Sequence, residues 1–451
     1  MEEKKLEKRL FGTNGVRGVA GKDLTPALVL SIGTALGSMR PGTIAVGRDT
    51  RTSGPALASA LKAGLLSAGC DVVDLGVLPT PALQYLVRDH FDAGAVVTAS
   101  HNPPEYNGIK VVEPDGTEMG DEQCIVLEDH IFKGTACHAP WDRVGREVAA
   151  PSMVEEYVKA VAGSFPPGTG DGRLVVADPG CGAAALTTPD ILTRMGCRVF
   201  SLNSQMDGTF PGRLPEPSPE GLAPLADLVK TTGADFGVAH DGDADRAVFI
   251  DDRGRFVEEN RQFGLIADFI CRTQKGVVVT PVSTSRLIEV IARRHGSRVV
   301  YTAVGSIYVA RTMIGLSTEG TTVAFGGEGN GGLIFPGHQL CRDGGMTAAT
   351  MVALLAHARQ PLSALVDALP EFFMIKEKLR EKDGSGLIKR LIEAFSGDSL
   401  DLTDGIRINR EDSWALVRPS GTEPLVRVMV ESVSETRARE LYEELMGHIR
   451  P

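Results

Sequence analysis

Six short segments carry side chains able to do chemistry. In DGDADR (241–246), Asp241, Asp243 and Asp245 alternate with small residues directly after the apolar run DFGVAH. Three carboxylates so close repel one another unless a cation lies among them, and a hard divalent ion such as Mg²⁺ takes a compact set of oxygen ligands. A solvated acidic turn is the plain alternative. An EF-hand loop also begins D-x-D-x-D, but its sixth position is glycine and this chain has Arg246 there, which argues against calcium sensing.

In TASHNPPEYNGIK (98–110), a second apolar run ends in Ser100, His101 and Asn102, followed by two prolines and, on the same polar loop, Lys110. A hydroxyl is a poor nucleophile unless activated, whereas a serine that already carries a phosphoryl group is a donor needing only charge neutralisation and alignment. A divalent ion on the aspartates would supply both, with Lys110 and His101 near enough in sequence to assist. An ordinary turn shaped by Asn and Pro accounts for the same letters.

FGTNGVRG (11–18) and GRDTRTSG (47–54) set Arg17, Arg48 and Arg51 on Gly-rich or polar segments beside strand ends. Arginine grips phosphate as a fork, and glycine lets backbone amides approach oxyanions, so Arg17, on a loop before the first helix, is a candidate for the group in transfer. RPSGTEP (418–424) joins Arg418, Ser420 and Thr422 around Gly421, a nest for a phosphate that is bound but not transferred, or else a hairpin turn. GEGNGG (327–332) offers Glu328 and Asn330, whose mix of acceptors and donors suits vicinal sugar hydroxyls better than phosphate.

The elements that position these loops repeat. Strand TIAVG (43–47), a helix near Ser53, strand DVVDLG (71–76), a helix from Pro81 and strand AGAVVTA form one α/β unit. RLVVAD (173–178), a helix from about Thr188, CRVFSL, a helix from about Leu222 and DFGVAH form a second. GVVVTP (276–281), a helix at Arg286, SRVVYT, a helix near Ile307 and TTVAFGG (321–327) form a third. Alternation of strands and helices predicts mixed or mainly parallel sheets, whose ligands gather beyond the carboxyl ends of the strands. After ALPEFF (368–373), the alternating LVRVMVE and a charged amphipathic helix from about Glu435 predict a small α+β domain. The parse is 1–150 with the serine loop, 151–252 with the acidic loop, 253–368 with the sugar loop and 369–451 with the phosphate loop.

At 451 residues one hydrophobic core is too few. A net charge of −11 argues against nucleic acid and anionic membrane surfaces, so an anionic ligand must be held by a local cluster. Seven scattered cysteines without C-x-x-C spacing fit a reducing cytoplasm, and no segment has the apolar length of a signal or membrane helix.

Taken together, the segments resemble the α-D-phosphohexomutase family, in whose order and spacing FGTNGVRG, TASHNP, DGDADR, GEGNGG and RPSGTEP stand over essentially the whole chain. One such motif is weak; five in order are specific. The resemblance implies four domains around a central cleft, a phosphoserine at Ser100, and Mg²⁺ on Asp241, Asp243, Asp245 and a phosphoserine oxygen, with Arg246 near the phosphoryl group. Glu328 would meet the sugar hydroxyls and Arg418 to Thr422 the phosphate not in transfer. The implied reaction moves phosphate between O6 and O1 of a hexose: Ser100 donates to form a hexose 1,6-bisphosphate, which turns over and returns its other phosphate to the serine. Lys110 and Arg17 become candidates for proton transfer or transition-state stabilisation, and a lysine shifted toward neutrality could act as a base.

One departure stands out. Many relatives read G-E-x-S-G-H in the sugar loop, where this chain has Asn330 for the serine and Gly332 for the histidine, so the role of that imidazole is absent or falls elsewhere. This form is similar to archaeal-type members. It implies a phosphoglucosamine mutase first and a phosphomannomutase/phosphoglucomutase second, with a Ser100-dependent metallophosphatase or a silent sugar-phosphate sensor as remoter readings. The implied partner is a small-molecule sugar phosphate, without nucleic acid or membrane, and a homo-oligomer stays open.

Overall fold

The computed structural model describes residues 8–12, 14–381, 383–419 and 425–450. The chain folds as two compact units: residues up to Glu258 with Gly331–Val366, and Glu259–Asn330 with the chain from Asp367 onward.

In the first unit, a six-stranded sheet runs in the order Val16–Val19, Tyr106–Val112, Ala93–Val97, Thr43–Arg48, Asp71–Val77, Glu147–Ala149. Thr43–Arg48 is parallel to both Ala93–Val97 and Asp71–Val77, because helices Gly54–Ser67 and Thr80–His90 carry the chain back between them. Ala93–Val97 is buried at every position, which is why it reads as a continuous apolar run. A second sheet, ordered Phe256–Val257, Ala247–Asp251, Phe236–His240, Leu174–Asp178, Arg198–Ser201, is parallel around Leu174–Asp178 and turns antiparallel beyond Phe236–His240. The hairpin of Leu333–Phe335 and Gln339–Arg342 also belongs to this unit.

The second unit contains the parallel trio Arg298–Thr302, Val277–Pro281 and Val323–Gly327. It also holds an antiparallel sheet ordered Phe373–Arg380, Leu425–Ser432, Ser413–Pro419, Ile406–Asn409, Ser399–Asp401. Leu379, Val417 and Val428 of that sheet pack with Leu387 of helix Gly384–Ala394 and with Leu441 and Leu445 of helix Glu435–Ile449. The expected class, three mixed α/β domains followed by a C-terminal α+β domain, is what forms. Among the described residues no helix is long and apolar enough to cross a membrane.

Two expectations change. Arg17 and Lys110 do not stand on loops. They lie on Val16–Val19 and Tyr106–Val112, which pair antiparallel with Arg17 opposite Gly108 and Lys110 opposite Val96. Gly108 permits the close approach: a Cβ there would meet the Val16 carbonyl oxygen at 2.5 Å and that of Thr98 at 2.6 Å. Strand geometry fixes both cations at defined heights on the sheet, where a loop would leave them free to wander. Gly108→Ala should therefore cost about 1–3 kcal/mol through overpacking against two backbone carbonyls. Urea unfolding measures it, and a change within about 0.5 kcal/mol, the range of an ordinary surface substitution, would contradict the reading.

Candidate active site

The acidic loop is a short turn between two buried strands, Phe236–His240 and Ala247–Asp251, whose pairing begins at His240 opposite Ala247. Ala244 takes φ 58, a left-handed turn that tightens the loop and brings oxygens of Asp241, Asp243 and Asp245 within 4.8 Å of one another. All three are buried. Lys110 Nζ donates to Asp243 Oδ2 at 2.7 Å and to Asp245 Oδ2 at 3.1 Å, and Arg342 Nη2 donates to Asp245 Oδ2 at 2.6 Å. Thr80, at the start of helix Thr80–His90, donates its hydroxyl to Asp243 Oδ2 at 2.6 Å. Asp243 Oδ1 and Asp245 Oδ1 are buried without a hydrogen-bond partner among the described residues. Buried carboxylate oxygens left unsatisfied are costly, and three carboxylates facing one point make a donor set that fits a hard divalent cation.

Charge is shared unevenly. Burial raises the Asp241 carboxyl well above the usual range, and the neighbouring Asp245 and Asp243 add to it. For Asp245, burial is outweighed by Arg342, Lys110 and Arg246, which hold it below the usual range. Burial pushes the Lys110 ammonium down, but Asp243 and Asp245 more than offset this and leave it raised. That direction is away from the neutrality a base requires. Lys110 here is a fixed positive charge.

Ser100 sits at φ 51, in the left-handed region that a serine adopts only when its surroundings compel it. Arg51 does the compelling. Fully buried, it donates Nη2 to the carbonyls of Ser100 (2.8 Å) and Asn102 (2.6 Å), and Nη1 to those of Pro103 (2.6 Å) and Tyr106 (2.9 Å). Asp49 Oδ2 pairs with Arg51 Nε at 3.0 Å and accepts the Thr98 hydroxyl at 2.6 Å, and Thr98 Oγ1 accepts the Ser100 amide at 2.9 Å. Arg51 is thus a clamp on the loop backbone, and the expectation that it forks a phosphate is corrected. A second clamp repeats the design under the acidic loop. Arg213 pairs with Asp178 at 3.0 Å and donates Nη2 to the carbonyl of His240, the residue before Asp241, at 2.6 Å.

So held, Ser100 Oγ donates to Asp241 Oδ2 at 2.7 Å and lies 3.3 Å from His101 Nδ1. Burial, helped by the charges of Arg246 and Arg17, pushes His101 down to about 3, so its ring is neutral near pH 7 and offers hydrogen bonding without charge. Arg17 Nη1 donates to Asn102 Oδ1 at 2.8 Å while its Nε is buried without a hydrogen-bond partner among the described residues, and burial lowers its pKa. Arg246 donates its amide to Asp241 Oδ1 at 3.2 Å and Nη1 to Glu216 Oε1 at 3.3 Å. The first unit therefore gathers Ser100, His101, Lys110, Arg17, Arg246 and the three aspartates. Asn102, read in the sequence only as a turn former, joins them as the acceptor for Arg17, and Thr80, Glu216 and Arg342 join without having been singled out in the sequence. The one local signal was for Arg342, charged where the strand of QLCRDGG meets a helix start.

The second unit gathers the rest. A cavity of about 340 Å³ is lined by Glu328, Asn330 and Arg418, together with Lys376, Lys378 and Arg427. Glu328 is buried at its edge. Asp404 Oδ2 pairs with Arg418 Nε at 2.6 Å and accepts the Val304 amide at 2.9 Å, which orients the guanidinium from the parallel trio. Ser420, Gly421 and Thr422 lie outside the described residues.

Four family models match in order: phosphoglucomutase/phosphomannomutase alpha/beta/alpha domain I over residues 8–137, domain II over 155–254, domain III over 258–373, and the C-terminal domain over 374–448. The chain belongs to this phosphoglucomutase/phosphomannomutase family. It is similar to a Thermococcus kodakarensis protein named phosphoglucomutase/phosphomannomutase, 44% identical over 96% of this chain and 97% of that one. A Methanopyrus kandleri protein named probable phosphoglucosamine mutase is 42% identical over 98% of each. A crystal structure of a phosphoglucomutase/phosphomannomutase family protein from Burkholderia thailandensis superposes with TM-score 0.86 at 29% identity, over 97% of this chain and 96% of that one. The chain is accordingly an isomerase of the phosphohexomutase class.

Two outcomes follow for this phosphohexomutase. Arg51→Met takes from buried Asp49 its ion-pair partner and should cost about 3–5 kcal/mol in chemical denaturation, with part recovered by adding Asp49→Asn; a loss below about 1 kcal/mol would contradict the clamp. His240 donates Nδ1 to the Arg246 carbonyl at 2.8 Å and accepts from Thr188 at 3.0 Å, a neutral ring that burial pushes down to about 4 from the usual 6.5. As pH falls, the unfolded chain takes up this proton first. Its contribution is full above 6.5 and is lost toward about 4, at about 1.4 kcal/mol per pH unit, so His240→Gln should flatten that part of the unfolding profile. An unchanged slope would contradict a buried neutral ring.

Proposed function

We propose that the chain interconverts a hexose 6-phosphate and a hexose 1-phosphate, with Ser100 carried as phosphoserine and a hexose 1,6-bisphosphate as intermediate and activator. The observation that carries this is the 2.7 Å contact of Ser100 Oγ with Asp241, which sets the serine hydroxyl of the clamped loop against the metal-capable carboxylates. Mg²⁺ on Asp241, Asp243 and Asp245 would draw charge from the phosphoryl oxygens when bound. The protein's own residues do the rest.

In the first transfer, a bond from sugar O1 to phosphorus forms as the Ser100 Oγ–P bond breaks, the O1 proton leaves and Oγ ends protonated. Such a transition state is loose, so placement and charge neutralisation do most of the work. Arg51 and Asp49 provide placement through the loop backbone, and Lys110, Arg17 and Arg246 provide fixed positive charge. His101, neutral and within reach of Oγ, is assigned a hydrogen bond to the serine oxygen. Glu328 and Asn330 are assigned to the sugar hydroxyls, and Arg418 with Ser420, Gly421 and Thr422 to the phosphate not in transfer. Residues 1–150 would thus supply the donor, 151–252 the metal loop, 253–368 the sugar loop and 369–451 the phosphate grip.

Glucosamine 6-phosphate is the proposed substrate, supported by full-length relatives at 36–42% identity named as phosphoglucosamine mutases. A phosphomannose/phosphoglucose preference is the second reading, favoured by the name of the 44% identical relative. Glucosamine, mannose and glucose 6-phosphates assayed side by side decide between them by kcat/KM. Ser100→Ala should lower kcat by about 10⁴-fold or more and abolish the phosphoryl mass increment on the intact protein. Wild-type turnover in that variant would overturn the proposal, and net release of inorganic phosphate would make the enzyme a phosphatase.

A further inference from the structure

Two arginines of the first unit are held in the same way. Arg17 Nη1 donates to Asn102 Oδ1 at 2.8 Å and Arg246 Nη1 donates to Glu216 Oε1 at 3.3 Å, while Nε of each is buried without a hydrogen-bond partner among the described residues. Each guanidinium is thus gripped at its tip and presents its inner N–H. Arg246 Nε lies 4.0 Å from Asp245 Oδ1, and its backbone amide meets Asp241, the carboxylate that Ser100 Oγ contacts. A buried N–H left unpaired is costly, so each inner donor marks a place where an acceptor is to come.

The holders differ in origin. Asn102 stands on the serine loop that Arg51 clamps. Glu216 comes from the connection between Arg198–Ser201 and helix Ala223–Thr232. Along that connection Arg213, Pro215 and Pro217 are buried, whereas Leu214 and Glu216 are exposed. Both exposed residues precede a proline, whose ring fixes its own φ and drives the residue before it to extended backbone. Arg213 is the clamp under the acidic loop. Glu216 therefore stands on a segment pinned on either side, its carboxylate half-exposed between Arg246 and His101, whose Nδ1 lies 3.7 Å from Oε2. An ordinary surface ion pair stabilises little and needs no such anchoring.

We infer that Glu216 is a positioning residue for phosphoryl transfer: by holding Nη1 of Arg246 from the exposed side, it keeps the inner Nε free for the phosphoryl group on Ser100. That the group met is a phosphoryl rests on the phosphohexomutase reading above; the tether itself rests on the geometry of Glu216 and Arg246. A long side chain loses rotamer freedom when it is fixed, and a charge ordered in advance acts on a loose transition state without that loss. A half-exposed carboxylate suits the task. It attracts Arg246 before any anion is present, and water screens its repulsion of the dianion that follows.

The test uses the full-length chain with Glu216→Ala, Glu216→Gln, Arg246→Gln and the double variant Glu216→Ala with Arg246→Gln. Glu216→Ala should lower kcat by about 10–30-fold with KM within about threefold of wild type, and Glu216→Gln, which keeps an acceptor for Nη1, should recover part of the loss. In the Arg246→Gln background, adding Glu216→Ala should lower kcat by less than about twofold, because a tether with nothing to hold has no effect. The melting temperature of Glu216→Ala should shift no more than for an ordinary surface substitution, and Glu220→Ala, another exposed carboxylate on the same connection, should change nothing. Arginine Nε–H NMR of the resting chain reads the tether without turnover. The Arg246 signal, assigned by its absence in Arg246→Gln, should exchange with water faster in Glu216→Ala. Wild-type kcat in Glu216→Ala, or a loss that persists in full in the Arg246→Gln background, would overturn the positioning role and leave the reaction standing. A wild type that interconverts no hexose phosphate, but whose Arg246 Nε–H loses protection in Glu216→Ala, would support the tether and overturn the reaction. An unchanged Arg246 signal would overturn the tether in either case.

Discussion

Like charges held together out of water need counter-charges at fixed positions, and that constraint organises this protein. Two unit charges at about 4 Å interact by about 4 kcal/mol at an effective dielectric of 20, too much for three buried carboxylates to stay crowded unaided. Lys110 and Arg342 reach Asp243 and Asp245 from two other strands, while Asp241, raised by burial and by its neighbours, faces Ser100. The first unit's strand order follows from this need. The antiparallel Tyr106–Val112 must pair beside Ala93–Val97 for Lys110 to come back level with the serine loop.

Placement is then secured twice by the same device, a buried Arg–Asp pair that spends the guanidinium on backbone carbonyls. Arg51 with Asp49 holds the serine loop, and Arg213 with Asp178 holds the entry to the acidic loop. Each pair lies at the carboxyl end of a parallel strand. Rigid loops on a packed sheet suit a transfer whose rate depends on alignment more than on covalent help from the protein. In the second unit a cation is placed by the same means, Asp404 pairing with Arg418 at 2.6 Å.

The sequence was most legible where chemistry and strand ends coincide. Continuous runs such as GVVVTP and DFGVAH announce buried parallel strands, and the structure places Val277–Pro281 and Phe236–His240 there. The Asp trio was readable as a carboxylate set able to hold a cation, because alternate carboxylates that follow an apolar strand repel one another unless a positive charge sits between them, and the structure buries all three together. Less was readable where the partner is distant. Arg17 and Lys110 looked like loop residues because their strands are defined by pairing across the sheet. Arg342 meets an aspartate 97 positions away. A guanidinium has the same letters whether it binds phosphate or carbonyls, so the clamp role of Arg51 was invisible.

At the centre of the proposed reaction, the Ser100 hydroxyl shuttles the phosphoryl group. The most direct measurement follows phosphate occupancy at Ser100 by rapid quench and peptide mass spectrometry while phosphorylated enzyme reacts with hexose 6-phosphate. The predicted result is loss of phosphate from Ser100 with matching appearance of hexose 1,6-bisphosphate, and its return to the serine at the rate at which hexose 1-phosphate is released. Phosphate that stays on Ser100, or never resides there, while hexose 1-phosphate accumulates would contradict it.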